Sequence, residues 1–456
     1  MNFISTPTML SVTQAAGQFC ASLNTSNVPP HISEKARVCI FYGLGIGLLC
    51  LPEKTAWTAS ESVLQLDGLA GKSGATCLVN GVRAPVSSAA FSNAVLLHAR
   101  CQEDTSGTAH LGVAILSVAL ALLEAGLGHP HLVLESIMAG YEVGGALERI
   151  MGKKTMAAGF RASPLYGTIA AAACAARLMN LPAERIGAAI ANAALFTGGT
   201  LQSIPEGTDE WRYQLGIAAK NGLQAAMLAR TGSLSTQAAI EGPQGFSLAF
   251  ARENFVIENL KLGDHWNLPA VTFKPYPVCA HNQTPTSLGA VLAKRISSRD
   301  IATMTLRINP YVVPGMLERG PFSRVPETLM STFFCVAAAA VHGTVSTSIL
   351  ESFEDKDIGH LIPKMNIELD ASLPFPSAAV DVAANSGERF TLTEKRTFED
   401  YSFSCQQVRE QLNRLLSESG IDLTAVDLLY TFAYSEGDFA IDPVLRAYQL
   451  GRQSLE

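Results

Sequence analysis

Between about residues 10 and 260, apolar residues recur at helical spacing almost without a break, and many of them are alanine or glycine. Helix-period runs cover Ser33–Leu51, Val86–Ala99, Val113–Ala125, Leu132–Met151, Pro164–Met179, Ala183–Ala194 and Trp211–Thr231. A stripe such as Ala170-Ala171-Ala172-Ala173-Cys174-Ala175-Ala176 lets helix axes approach closely, because side-chain size sets the interaxial distance. Asn180-Leu181-Pro182-Ala183-Glu184 reads as a helix stop followed by a proline near the next first turn. These runs predict a tight helical bundle.

The texture changes after Trp266. Lys274-Pro275-Tyr276-Pro277 cannot be regular helix, since each proline biases its predecessor toward extended backbone. Beyond it, Thr303–Ile308, Met365–Asp370 and Arg389–Thr397 read as strands, with helix-like segments at Thr284–Arg295 and Glu327–Val341 between them. Helical patterning resumes from Phe398 to Leu415 and from Asp427 to Leu450. The expected fold class is mainly α with an α+β lid. A helical domain spans residues 1–268, an α+β domain 269–397, and C-terminal helices at 398–456 return to the first domain.

Composition fits a chain that hides much of itself. It is 48% hydrophobic and 16% charged, where about a quarter charged is usual. The net charge of −7 argues against a nucleic-acid or anionic-membrane partner and makes any cationic pocket a local exception, fit for a small anion. Nine cysteines without a C-x-x-C pair suggest neither a disulfide framework nor a sequence-local metal site. Met1-Asn2-Phe3-Ile4 opens no signal peptide, and the longest apolar run, the 14 residues Val38–Leu51 with three glycines, falls short of the ~20 that span a bilayer. A cytoplasmic protein is expected, assembled as a homodimer through its helical part.

Two motifs are decoys. Gly71-Lys72-Ser73 resembles the end of a phosphate loop, but Leu66 stands where the loop's first glycine belongs. Gly43-Leu44-Gly45-Ile46-Gly47 lacks the dinucleotide-fingerprint spacing and sits in an apolar helix. No G-x-S-x-G or H-E-x-x-H occurs, so no organic cofactor and no metal is called for. The informative stretch is Leu96–Gly112, where His98, Arg100, Cys101, Glu103, Asp104, Thr105 and His110 interrupt two of the most apolar segments. A polar pocket between buried helices explains it better than a surface loop.

In order along the chain, Ala89-Ala90-Phe91-Ser92-Asn93 running into His98, Glu103-Asp104-Thr105, His110-Leu111-Gly112, Gly140-Tyr141-Glu142-Val143, Gly159-Phe160, Leu178–Leu181, Ala218–Ala226 and Phe273-Lys274-Pro275-Tyr276-Pro277 resemble the MmgE/PrpD family. That family includes 2-methylcitrate dehydratases, cis-aconitate decarboxylases and an iminodisuccinate epimerase. The resemblance implies a homodimer with a large helical domain and a smaller α+β lid, and a cofactor-free active site in the cleft between them. It implies His110, Asp104, Lys274 and Tyr276 as catalytic, and Thr105 and His98 as substrate-binding. His98, at a helix C-terminus, also complements a macrodipole.

Three positions depart from the family pattern. Cys101 stands where an Asp is typical, Arg161 replaces the His of a Gly-Phe-His segment, and Trp211, beside Arg212, falls at or near a Lys position. Losing a carboxylate and an imidazole while gaining a guanidinium makes the pocket more cationic, so Cys101, Arg161, Trp211 and Arg212 join the expected binding set. The expected function is a cofactor-independent hydro-lyase, similar to 2-methylcitrate dehydratase, that removes a proton alpha to a carboxylate of a small di- or tricarboxylate. Decarboxylation or epimerisation of a related acid, or carboxylate binding without catalysis, are the alternatives.

Overall fold

The computed structural model describes residues 10–455; the opening residues Met1–Ile4 lie outside them. Helices α1 (Val12–Ser22), α2 (Pro30–Leu49), α3 (Lys54–Asp67), α4 (Val86–His98), α5 (Gly112–Glu124), α6 (Val133–Ala157), α7 (Ala162–Leu178), α8 (Ala183–Phe196) and α9 (Glu210–Arg230) form the first part. α7 ends where Asn180 adopts a positive φ of 54°, and Pro182 caps α8. One hairpin, β1 (Ala75–Cys77) against β2 (Val82–Ala84), interrupts the helices. Gly71-Lys72-Ser73 is the loop entering β1, with no helix after it to receive a phosphate. Helical patterning to residue 260 overstates the case. Past Arg230 the chain makes only short turns until α10 (Gln283–Ala293), because Gly232, Gly242, Gly245 and Pro243 punctuate it.

The second part contains α10, β3 (Ile301–Ile308), α11 (Val325–Met330), α12 (Thr332–His342), α13 (Thr347–Leu350), α14 (Lys356–Leu361), β4 (Met365–Leu369), β5 (Ala378–Ala384) and β6 (Arg389–Glu394). Its sheet runs β4-β3-β5-β6, with β3 and β4 parallel and the other pairs antiparallel. The interior strand β5 is absent from the sequence reading. Ala378-Ala379-Val380-Asp381-Val382 has no clean alternation, because Ala378, Ala379 and Val380 are all buried. α15 (Cys405–Glu418), α16 (Thr424–Ala433) and α17 (Asp442–Leu455) close the chain.

Apolar side chains gather into two cores. One runs from Val12 to Phe273 and resumes at Val408–Tyr448; the other holds Val278–Val382 and also takes in Cys101 and Trp211. Glycines of α2 seat the returning helices. A Cβ at Gly45 would overlap Leu412 and one at Gly47 would overlap Tyr448, whose hydroxyl donates to the Leu44 carbonyl at 2.9 Å. Among the described residues no single helix is long and apolar enough to cross a membrane; Val38–Leu51 is buried throughout.

At Gly222 an added Cβ would lie 2.6 Å from both the Ala171 Cβ and the Thr168 carbonyl oxygen across the α7–α9 contact. Gly222→Ala is therefore expected to destabilise by ~1–3 kcal/mol, as overpacking does. Gly71→Ala, with nothing near its Cβ, should stay within ~0.5 kcal/mol. Urea midpoints of the two variants check this.

Candidate active site

The polar stretch is the connection between α4 and α5, and three devices fix its path. Cys101 adopts a positive φ of 57°, rare for a side chain with a Cβ, and its carbonyl accepts from Lys274 Nζ at 2.7 Å. Thr105 and Thr272 exchange backbone hydrogen bonds of 2.8 and 2.9 Å, bringing the loop alongside the segment that carries Lys274. Glu148 accepts from Thr108 N–H and Oγ1 at 2.8 and 2.6 Å. Gly107, at φ 60°, passes so close to that carboxylate that no Cβ would fit.

Lys274 belongs mechanically to the helical core. Its N–H donates to Tyr42 Oη at 2.9 Å, and its carbonyl accepts from Tyr42 Oη, Gln102 Nε2 and Gln411 Nε2. The ammonium reaches Glu103 Oε1 at 3.0 Å, and both side chains are almost wholly buried. Glu103 is the hub, since Oε1 also lies 3.2 Å from His110 Nδ1 and Oε2 3.1 Å from His98 Nδ1, the latter off the axis of a good hydrogen bond. Burial alone would raise the Glu103 carboxyl; the imidazoles and Lys274 outweigh it and hold the group well below the usual carboxylate range. Burial alone would lower Lys274; Cys101 and Glu103 hold it above its ordinary value. The pair is a carboxylate and an ammonium.

Both histidines are neutral. Burial lowers His98 to about 4 and sets His110 well below its ordinary value, with Lys274 adding to the effect at His110. The expectation that His98 complements a helix macrodipole as a cation is corrected, because a fully buried imidazolium has no water to support its charge. Arg161 Nη2 approaches His98 Nε2 at 2.8 Å, and a guanidinium only donates. The His98 proton is therefore on Nδ1, facing Glu103. At His110, Nδ1 lies 2.9 Å from the Asp104 carbonyl, which only accepts, so the neutral ring carries its proton there and leaves a lone pair on Nε2.

His110 lines a cavity of about 130 Å³ together with Cys101, Thr105, Arg161, Ser163 and Trp211, closed from the second core by Cys279, His281 and Leu329. The His110 N–H donates to Ser163 Oγ at 3.2 Å. Arg161, just before α7, is only 7% exposed, so it is not part of a surface turn. Its Nη1 donates to the Trp211 carbonyl and to Gln214 Oε1, and Nη2 to His98. Among the described residues, its Nε–H and the second Nη2 hydrogen have no partner. Burial lowers its pKa to about 10, which still leaves it cationic at neutral pH. Burial pushes the Cys101 thiol up to about 12, so it is neutral.

Cys101, Thr105, His110, Arg161 and Trp211 thus face one cavity, with His98, Asp104 and Lys274 supporting them from behind. Asp104 turns its carboxylate to Tyr141 Oη, which donates at 2.5 Å. Tyr276 and Arg212 do not reach the cavity, which corrects both expectations. The Tyr276 backbone is clasped by Gln283, and its ring faces the Glu394 and Arg414 side. Arg212 donates to the Ala99 carbonyl at 2.8 Å, pairs with Asp209 and stacks on Trp211.

Sequence reasoning passed over Glu103 as hub, and also Tyr141, Ser163 and His281. Glu103 was visible in the polar stretch, but its partner is 171 residues away. A second, larger cavity of about 750 Å³ meets the first at Thr105, Gly107, Thr108, Ala280 and His281. Among the described residues, no group of three or more His, Cys, Asp or Glu side chains is placed to hold a metal ion.

A buried pocket that bears the Arg161 guanidinium lies where the helical core meets the α+β core. The chain belongs to the MmgE/PrpD family: the sequence model of the MmgE/PrpD N-terminal domain matches residues 14–257, more than half of it. It is 27% identical over 297 residues to a cis-aconitate decarboxylase of Mus musculus, covering 62% of this chain and 59% of that protein. It is 24% identical over 255 residues to the cis-aconitate decarboxylase-like protein oryM of Aspergillus oryzae, covering 54% and 52%. A cis-aconitate decarboxylase of Homo sapiens is 29% identical over 211 residues, covering 44% and 43%. The chain thus spans about half the length of these curated relatives.

Burial raises the Asp104 carboxyl from 3.8 to about 6. A raised folded-state value means a stability contribution fully present below pH ~4 and lost as pH climbs through ~6. Asp104→Asn has no such proton to lose, so between about pH 4 and 7 wild type should lose ~2–3 kcal/mol relative to the variant in urea unfolding. Glu103→Gln strands the Lys274 ammonium and should cost ~3–5 kcal/mol at pH 7 in the same assay.

Proposed function

We propose that the chain is a lyase of small di- or tricarboxylic acids that works by proton transfer at the carbon next to a carboxylate. The observation that carries this reading is His110. Its Nδ1 proton is fixed on the Asp104 carbonyl, its Nε2 lone pair is unused, and a buried guanidinium lines the same cavity. In the proposed step Nε2 takes the alpha proton, and the C–H electron pair moves into an enediolate whose oxygens face Arg161. Collapse of the enediolate expels a beta hydroxyl, which takes the proton back from the imidazolium and leaves as water. The step calls on no metal or organic cofactor.

The cavity is comparable with the ~150 Å³ that admits a six-carbon ring, which suits a short acid at the reacting centre. With Glu103 and Lys274 compensating each other and both imidazoles neutral, Arg161 is the one charged side chain lining the inner cavity among the described residues, which favours an anion there. Decarboxylation is a second reading, supported by the relatives named cis-aconitate decarboxylases. It forms the same carbanion by losing carbon dioxide instead of a proton.

A homodimer through the helical part is proposed as well. Leu66, Leu69, Leu195, Phe196 and Ile217 are exposed there, and the Lys220–Asp67 pair and the Asn221–Phe196 hydrogen bond join their helices on one face. Light scattering at micromolar concentration should show a dimer that Ile217→Arg weakens; a wild-type monomer would overturn it.

Incubation with citrate-like and aconitate-like acids in deuterium oxide should show alpha-proton exchange. His110→Gln should lower that rate roughly 10²–10⁴-fold. Saturable binding without exchange would refute the catalytic reading. Since a base must be unprotonated, and His110 is held low, kcat/KM should be flat from neutral pH upward and fall only well below pH 6.5. Arg161→Ala should cost roughly 2–5 kcal/mol in transition-state stabilisation, and Arg161→Lys should recover part of it. Wild-type kinetics in both variants would remove Arg161 from the site.

A further inference from the structure

The inner cavity of about 130 Å³ shares Thr105, Gly107, Thr108, Ala280 and His281 with the wall of a chamber of about 750 Å³, far more space than a six-carbon acid fills. The chamber has two unlike walls. One is aromatic, where Tyr311, Phe375 and Phe398 stand in contact, with ring centroids 5.6 and 5.7 Å apart. The other is α6, which presents Arg149 and Lys153 one turn apart, both exposed. Among the described residues neither has a carboxylate within ion-pair distance, whereas the adjacent Lys154 pairs with Glu253. Arg149 spends its hydrogen bonds on Asn267 and on backbone carbonyls of Asn259 and Leu260. The nearby acid, Glu148, is buried and turned into Thr108. In a chain of net charge −7, two cations without an ion pair on a concave wall, Lys153 with its ammonium 6.0 Å over the Tyr311 ring, suit an anion.

Between the two spaces stands His281. Its ring packs on Tyr311 and Phe375 at 4.9 and 5.0 Å and borders both cavities. Its Nε2 is buried and has no partner.

We propose that the chamber holds the outer part of the substrate, an apolar chain that leads away from the reacting head past His281 and ends in an anionic group at Arg149 and Lys153. The substrate class is then a di- or tricarboxylate head with an extended, acid-terminated side chain. This rests on the proposed carboxylate reaction only for the placement of the head in the inner cavity.

The test is calorimetric titration of the full chain with three probes of one head group: 2-methylsuccinate, 2-hexylsuccinate and 2-(5-carboxypentyl)succinate. Affinity should rise on the order of tenfold or more from methyl to hexyl, and again by roughly tenfold with the terminal carboxylate. Lys153→Glu, at an exposed position, should abolish only the second gain. Ala270→Trp, which fills the chamber from an exposed position on its wall, should abolish both, while 2-methylsuccinate binds as before. Equal affinity for all three probes, or gains that neither variant touches, would overturn the chamber proposal and leave the head-group reading standing. No binding of any probe, 2-methylsuccinate included, would overturn both.

Discussion

The site depends on one buried ion pair. Lys274 and Glu103 lie 3.0 Å apart with almost no exposure, where two separate charges would be strongly unfavourable. Geometry compensates: the ammonium also donates to the Cys101 carbonyl and faces the Cys101 sulfur at 3.8 Å, so each of its hydrogens has a partner. The pair also decides the state of its neighbours. One carboxylate is shared among an ammonium and two imidazoles, and it fully compensates only one cation. Lysine takes that place because its solution pKa is about four units above that of histidine. Both imidazoles stay neutral, and a neutral His110 with its proton fixed on Nδ1 has the lone pair that proton abstraction needs.

The departures from the family pattern act on this charge balance. The resemblance places an aspartate where Cys101 stands, and a carboxylate there would face the Arg161 guanidinium in the cavity. With a thiol held neutral by burial, no carboxylate lines the inner cavity beside the guanidinium among the described residues. Arg161 in turn orients His98 through Nε2, and Trp211 covers both, its ring edge-on to His98 at 4.7 Å and 5.7 Å from the Arg161 guanidinium. Cys101, Arg161 and Trp211 therefore lie together around His98.

Periodicity made the helices from α4 to α9 legible, because each buries a continuous stripe, and those from α5 onward end at a glycine or asparagine signal. β5 was not legible, since an interior strand of alanine and valine lacks the alternation of a half-buried one. Within the site, the residues of the 98–110 connection could be named from their polarity amid apolar neighbours. Direction could not. Whether Tyr276 or Arg212 faces the cavity depends on Gln283, Ala99 and Asp209, partners that no local pattern indicates. His281 gave no signal at all, since its importance comes from two cavities that meet beside it.

The two cores differ in how they hold the pocket. His110, Glu103, Lys274, Thr105 and Arg161 are all tied to the helical core, through the Thr105–Thr272 bridge and the clasp of Tyr42, Gln102 and Gln411 on Lys274. The second core begins at Val278, and it supplies Cys279, His281 and Leu329 to the opposite wall. Pro275 and Pro277 lie between, in a segment with no regular hydrogen-bonding of its own. A displacement of one core against the other therefore changes the width of the cavity and the position of His281, but leaves the base, its tautomer and its ion pair intact. His110 and its ion-paired neighbours are thus held from the helical side, while the wall opposite them comes from across the junction.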